Sequence, residues 1–410
     1  MKDREILRIL AAEIGEIAHL PVQKENEKLY RALNGLNPIR PVVLLDELPW
    51  NQLNGEGELN LYCEDKFLRD VEWGFRATLY RWKHCRGDMI VAPFYPLYRT
   101  LRVGSKGIDR RETTMAFDKT NHIVSHKFED QLATYEDLEK LHVPEISVDD
   151  DETNLRYNIL NEIFGDILPI KIITPNIISH FAPWDELAYL RGVGPIYDDL
   201  YDRPEFLHAT MQKLVSIQLE VIAKIEKMGC VGSYCPNIHC TAGFSDELAT
   251  DKLEGSFTRS DIWGRGTAQM FSEVSPKMHD EFEIEYMHRF FKGFGLVYYG
   301  CCEPLHRKIQ IVKKLPNLRK ISITPWADVR MSAEQMGKDY VMARKPNPAQ
   351  VAVNTLDEEA VRKDILETLT CCKQNGTPCE FTLKDISSVN YHPENLEKWE
   401  RIVMETVKNF

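Results

Sequence analysis

Two hydrophobic periods alternate along the second half of the chain. Short apolar runs at Leu296–Tyr299, Lys320–Thr324, Val341–Arg344 and Cys379–Lys384 read as strands. Between them, apolar residues recur every three or four positions in Met278–Phe291, Leu305–Leu315, Ser332–Tyr340, Asp357–Lys373 and Pro393–Val407, the spacing of amphipathic helices. Boundary signals agree with this division. Ser332 and Gln335 form a capping-box pattern, acids gather at Asp357 to Glu359, and Asn375-Gly376 is a helix stop. Strand–helix units joined by short loops imply an α/β fold with a parallel sheet and right-handed crossovers. The number of units approaches eight, and no Gly-x-Gly-x-x-Gly opens a helix. A (β/α)8 barrel is therefore expected over an open doubly wound sheet.

The first part of the chain reads differently. Residues 1–37 form a helical lead, and a first strand ends at Asp46 and Glu47. Residues 51–150, with short runs such as Met89–Pro93 and Tyr98–Val103 and glycines at Gly104 and Gly107, read as an insertion of helices and hairpins. With no internal repeat and no low-complexity linker, residues 1–410 are expected to form one domain. A formal net charge of −12 argues against broad nucleic-acid binding and against docking on an anionic membrane. No apolar run is long enough to cross a bilayer, and the acid-bearing N-terminus lacks a secretion signal, so a cytoplasmic protein is expected. The 10 cysteines suit buried fillers and a few metal ligands better than a disulfide framework.

In a barrel, polar residues at the carboxyl ends of strands build the active site. Those positions hold Asp46 and Glu47, Cys301 to Glu303, Trp326 and Asp328, Asn347 and, in the last strand, Glu380. Cys301, Cys302 and Glu303, joined by Cys379 from the last strand, form a candidate zinc site of thiolates and a carboxylate. The plain alternative is that the thiols are small core residues and Glu303 caps the next helix. Adjacent cysteines cannot both face inward along a regular strand, so a bend is needed if both are ligands. The Cys230, Cys235, His239, Cys240 group matches no common zinc knuckle and reads as a loop, with His239 facing the mouth. Trp50, Trp73, Tyr80 and Trp82 read as core packing or as a cap over an aromatic substrate.

The segments Phe271–Pro276, Val297–Cys302, Ile321–Trp326, Lys345–Pro348 and Pro393–Leu396 together resemble the uroporphyrinogen decarboxylase superfamily. The resemblance covers the last third well and the middle loosely. It implies a (β/α)8 barrel in one of two branches, the decarboxylases of haem synthesis or the methyltransferases that exchange methyl groups with a corrinoid protein. Thiol-methylating members hold zinc with a His-x-Cys pair and a later Cys; here these fall on Tyr299, Cys301 and Cys379, so the histidine is missing and Glu303 or Cys302 stands in. Asp46–Trp50 and Tyr80–Lys83 look like the subgroup that O-demethylates methoxylated aromatics in anaerobes. The decarboxylase branch fits less well, because the arginine-rich loop its polycarboxylate substrate needs is replaced by Asp46 and Glu47.

These readings give a methyltransferase that moves a methyl group from a small methylated substrate to Co(I) of a partner corrinoid protein, with a homodimer possible. Zinc at Cys301, Cys302, Glu303 and Cys379 is the expected Lewis acid. Without metal, Glu303, or Asp46 with Glu47, would be the general acid. Trp50, His239, Tyr299, Trp326, Asp328 and Asn347 are expected to line the substrate pocket. The alternatives are a decarboxylase of a small acid or tetrapyrrole, a thiol methyltransferase running from methyl-corrinoid, and a non-catalytic binding barrel.

Overall fold

A computed structural model describes residues 2–116 and 124–410. Its centre is a seven-stranded sheet of β1 (Val42–Leu45), β2 (His180–Phe181), β3 (Trp263–Gly266), β4 (Leu296–Tyr299), β5 (Leu318–Ile323), β6 (Val341–Arg344) and β7 (Cys379–Leu383). The spatial order is β1-β7-β6-β5-β4-β3-β2, and every pairing is parallel. Strands β1, β3, β4, β6 and β7 are buried throughout, which is why β1 and β4 read as continuous apolar runs, whereas β3, Trp-Gly-Arg-Gly, carries no such signal. The fold is thus α/β. Among the described residues no pairing links β2 to β1, so the hydrogen-bonded sheet is not closed.

Side-chain alternation sorts the sheet into two faces. Along β7, Cys379, Phe381 and Leu383 join the main apolar core with Leu369, Cys372 and Trp399 of helices Glu358–Asn375 and Glu394–Asn409. The intervening Glu380 points the other way and forms an ion pair of 2.8 Å with Lys320 of β5, both side chains fully buried. The chain that follows helix Pro204–Lys227 carries the short hairpin Asn237–Ile238/Thr241–Ala242. That hairpin is tied down from several sides. Ala242 N donates to Glu380, Lys320 donates to the Ala242 carbonyl at 2.8 Å, and Asn34 donates to the Ala242 and Phe244 carbonyls.

The lead helix Lys2–Ala18 packs Leu7, Leu10 and Ile14 against Phe75 of helix Lys66–His84 and Leu160 and Phe164 of helix Asp150–Phe164, forming a second apolar core. The region after β1 adds a parallel pair, Tyr95–Tyr98 with Ile170–Ile173, and antiparallel pairs Thr100–Val103 with Ile146–Asp149 and Glu112–Met115 with Ser125–Phe128. The expected helix over Leu305–Leu315 shrinks to Ile309–Val312, because the preceding residues are used in the turn that carries the thiols. No helix among the described residues is long and apolar enough to cross a membrane.

Candidate functional site

Strand β4 stops at Tyr299, and Gly300 takes a positive φ of 97°. A Cβ there would stand 2.6 Å from Leu305 and 3.2 Å from Ser322, so both conformation and close approach favour glycine. This turn is the bend that adjacent cysteines need. It leaves Cys301 and Cys302 with their sulfurs 3.5 Å apart at the carboxyl end of the sheet. Cys301 Sγ lies 3.1 Å from His239 Nε2 and 3.5 Å from Lys384 Nζ. Cys302 Sγ lies 3.5 Å from Asp385 Oδ2. His239 and Cys240 sit at the tip of the tied-down hairpin, both at positive φ.

Lys384 follows β7 and shares the inward side of Glu380. Its ammonium meets His239 at 3.3 Å, Glu47 at 3.4 Å and Asp385 at 3.1 Å. Burial alone would depress this lysine, but Cys301, Asp385, Glu47 and Cys240 outweigh burial and raise it. The Cys301 thiol is brought down to about 7, first by the hydrogen bond from Cys302, against the opposing effect of burial, and then by the Lys384 and Arg265 charges. His239 is driven down by burial and by Arg265, Lys384 and Lys345, so it is neutral and can offer a lone pair. Burial and the hydrogen bond with Asp385 raise Glu47.

The expected residues divide sharply. Glu47, His239, Cys301 and Cys302 meet in this cluster. Asp46 lies beside it, accepting from Glu47 N at 2.9 Å. Cys379 does not reach it: it stands at the opposite end of β7, buried with Cys372 on the helix-facing side, five positions and roughly 16 Å of strand from Lys384. Glu303 is fully buried and its oxygens accept from Thr267 Oγ1 at 2.8 Å, Ala268 N at 3.2 Å and Cys301 N at 2.9 Å. Its carboxylate is used in joining the β3 and β4 loops, so its geometry is that of a brace. Tyr299 points into the helix layer and bonds His279 at 2.8 Å; its neighbour Tyr298 faces the interior. Glu380 belongs to the amino end of β7, away from the rim. Asp328 caps helix Val329–Met336 through Met331 N, and Asn347 caps the turn Pro348–Gln350 through Ala349 N. Trp50 packs edge-on against Trp73 and Tyr80. Trp326 stands 68% exposed on the rim after β5.

Next to the thiols, a cavity of about 600 Å³ opens at the ends of β2 and β3, lined by His180, Asp185, His239, Arg265, Thr267 and Gln269. A somewhat larger groove, about 730 Å³, lies around Arg40 and Asp88 at the amino end of β1, far from this chemistry. Within the cavity, burial pushes the Asp185 carboxyl up to about 6, opposed by a hydrogen bond from Gln269 at 3.0 Å and aided by Glu303. Reading by residue type missed Asp185, His180, Arg265, Lys384 and Asp385. Lys384-Asp385 at a strand end was a usable signal; the other three look ordinary in sequence.

Glu47, His239 and Cys240 place an oxygen, a nitrogen and a sulfur donor within 4.8 Å of one another. This donor set suits zinc, and Cys301 beside His239 offers a fourth ligand. The Lys384 ammonium now neutralises the same groups, so an entering ion would displace it. No protein-family model matches the chain, and no curated protein matches its sequence. Among solved structures, a methyltransferase from Methanosarcina mazei superposes with a TM-score of 0.49 at 11% identity, covering 92% of this chain and 97% of that one. A likeness at that level carries no argument about activity, which has to come from the site.

Proposed function

We propose that this chain transfers a methyl group from a small methylated substrate, of the methoxylated-aromatic class, to the Co(I) corrinoid of a partner protein. The observation that carries this reading is Asp185, a carboxyl group inside the cavity whose burial raises it to about 6, so that the acid form prevails below that value and a fraction of it persists toward neutral pH. When a methyl–oxygen bond breaks, the electron pair stays on oxygen, and that oxygen needs a proton. Asp185 supplies it, while Gln269 fixes the orientation of the carboxyl group. The resemblance of the segments around Cys301, Trp326 and Asn347 to the uroporphyrinogen decarboxylase superfamily supports an eight-stranded barrel as the parent of the observed sheet, and that of Asp46–Trp50 and Tyr80–Lys83 to its corrinoid-linked subgroup supports the choice of acceptor. The exposed Trp326 provides an apolar contact on the rim over which the partner would dock.

Glu47, His239, Cys240 and Cys301 would hold zinc, whose contribution when bound is Lewis-acid polarisation of the substrate's heteroatom. About one zinc per chain is expected by elemental mass spectrometry, retained in Cys379→Ser and lost in His239→Ala. Loss in Cys379→Ser alone would overturn this assignment. For the activity itself, the purified protein is mixed with methoxybenzenes or methoxybenzoates and chemically reduced cobalamin as acceptor. Consumption of Co(I) absorbance with release of a phenol is expected. Release of carbon dioxide without Co(I) consumption would replace methyl transfer by decarboxylation.

A further inference from the structure

We propose that Arg265 forms an anion subsite in the cavity and that the substrate carries a carboxylate. Three arginines among the described residues are buried: Arg191, Arg265 and Arg344. Arg191 is paired with Asp130 and Asp199, and Arg344 with Asp364. Arg265, 5% exposed, has no carboxylate within ion-pair distance among the described residues. Its Nη1 donates to His180 Nε2 at 2.6 Å, and its Nε has no partner. Burial and the Arg265 charge hold His180 near 4, so the ring is neutral and offers the guanidinium no counter-charge. A buried guanidinium without a counter-ion is strongly unfavourable, and this one lines the cavity.

Lys345, at the end of β6, repeats the pattern. It is 4% exposed, its Nζ has no hydrogen-bond partner, and it lies 5.9 Å from the centre of the Tyr298 ring. Both charges reach His239, as does that of Lys384. Lys384 is balanced by Glu47 and Asp385; Arg265 and Lys345 have no carboxylate within ion-pair distance among the described residues, and burial lowers the Lys345 pKa. A bound anion would compensate Arg265 and favour the charged form of Lys345. The guanidinium fork matches a planar carboxylate, the anion that a methoxybenzoate would present to it.

This inference rests on the methyl-transfer reading only for the fate of the bound molecule, so its test measures binding alone. Titration calorimetry would compare 4-methoxybenzoate with the uncharged 4-methoxybenzamide on the full chain without corrinoid. Wild type is expected to prefer the carboxylate by about 10-fold or more. Arg265→Gln should bring the two ligands to within about 2-fold, and Lys345→Met should reduce the preference by a smaller factor. Should Arg265→Gln fail to fold, Arg265→Lys, which keeps the charge and loses the fork, should still weaken the preference. Equal binding of the two probes by wild type, binding of neither, or an unchanged preference in the variants would overturn the subsite. A carboxylate preference without methyl transfer to cobalamin would keep the subsite and remove the reading above it.

Discussion

Glu380→Ala is expected to destabilise the protein by roughly 3–5 kcal/mol, the cost of leaving one member of a buried ion pair alone. Lys320 and Glu380 meet at 2.8 Å with no exposure of either side chain. Burial lowers the Lys320 pKa, and Glu380 is the main group that counters this, so removing the carboxylate leaves a buried charge with no counter-ion. The same pair holds both polar groups of Ala242 and thereby the hairpin that carries His239 and Cys240. Metal content should fall together with stability. The double variant Lys320→Met/Glu380→Leu should recover most of the folding free energy, because apolar replacement of a buried pair is often neutral. It should not recover the metal, since the hairpin loses both of its ties to the pair and keeps those to Asn34. Urea denaturation of both variants checks the first expectation and elemental analysis the second. A single variant as stable as wild type would mean that the pair does not anchor the fold.

Asp185→Asn is expected to lower methyl transfer by about 10²–10⁴-fold, the usual span of general-acid assistance. The substitution keeps shape and hydrogen bonding to Gln269 and removes only the proton. The pH dependence has a definite sign. Burial raises the carboxyl to about 6, so the acid form prevails below that value and is lost above it. In wild type kcat/KM should therefore fall as pH rises through about 6, approaching about tenfold per pH unit, and Asp185→Asn should lack this limb. A limb that persists in the variant would assign the proton to another group. Glu47, also raised by burial, is the next to examine.

Local pattern determined the strands and most helices of the second half. Val341–Arg344 and Leu296–Tyr299 were legible because a strand buried on both faces is an apolar run between turn signals, and helix Glu358–Asn375 because its caps and apolar spacing agree. The rim position of Cys301 and Cys302 was equally legible, since a strand end and a following turn are local facts. What the sequence could not fix was direction and depth. Cys379 opens a short strand and Lys384 directly follows it, yet alternation and strand polarity place the first against a helix at the far end and the second among the thiols. Glu303 is next to a ligand-like pair, but Thr267 and two backbone amides, brought by folding, occupy its oxygens. Asp185, Arg265 and His239 come from distant parts of the chain, and their acidity, missing counter-ion and neutrality are properties of burial and neighbours. The sequence by itself determined the α/β alternation, the strand ends and the thiol turn, because these depend on contacts between near neighbours. Only the tertiary structure decided which charges are paired and which are left over, because desolvation and Coulomb energy depend on distance in space rather than along the chain.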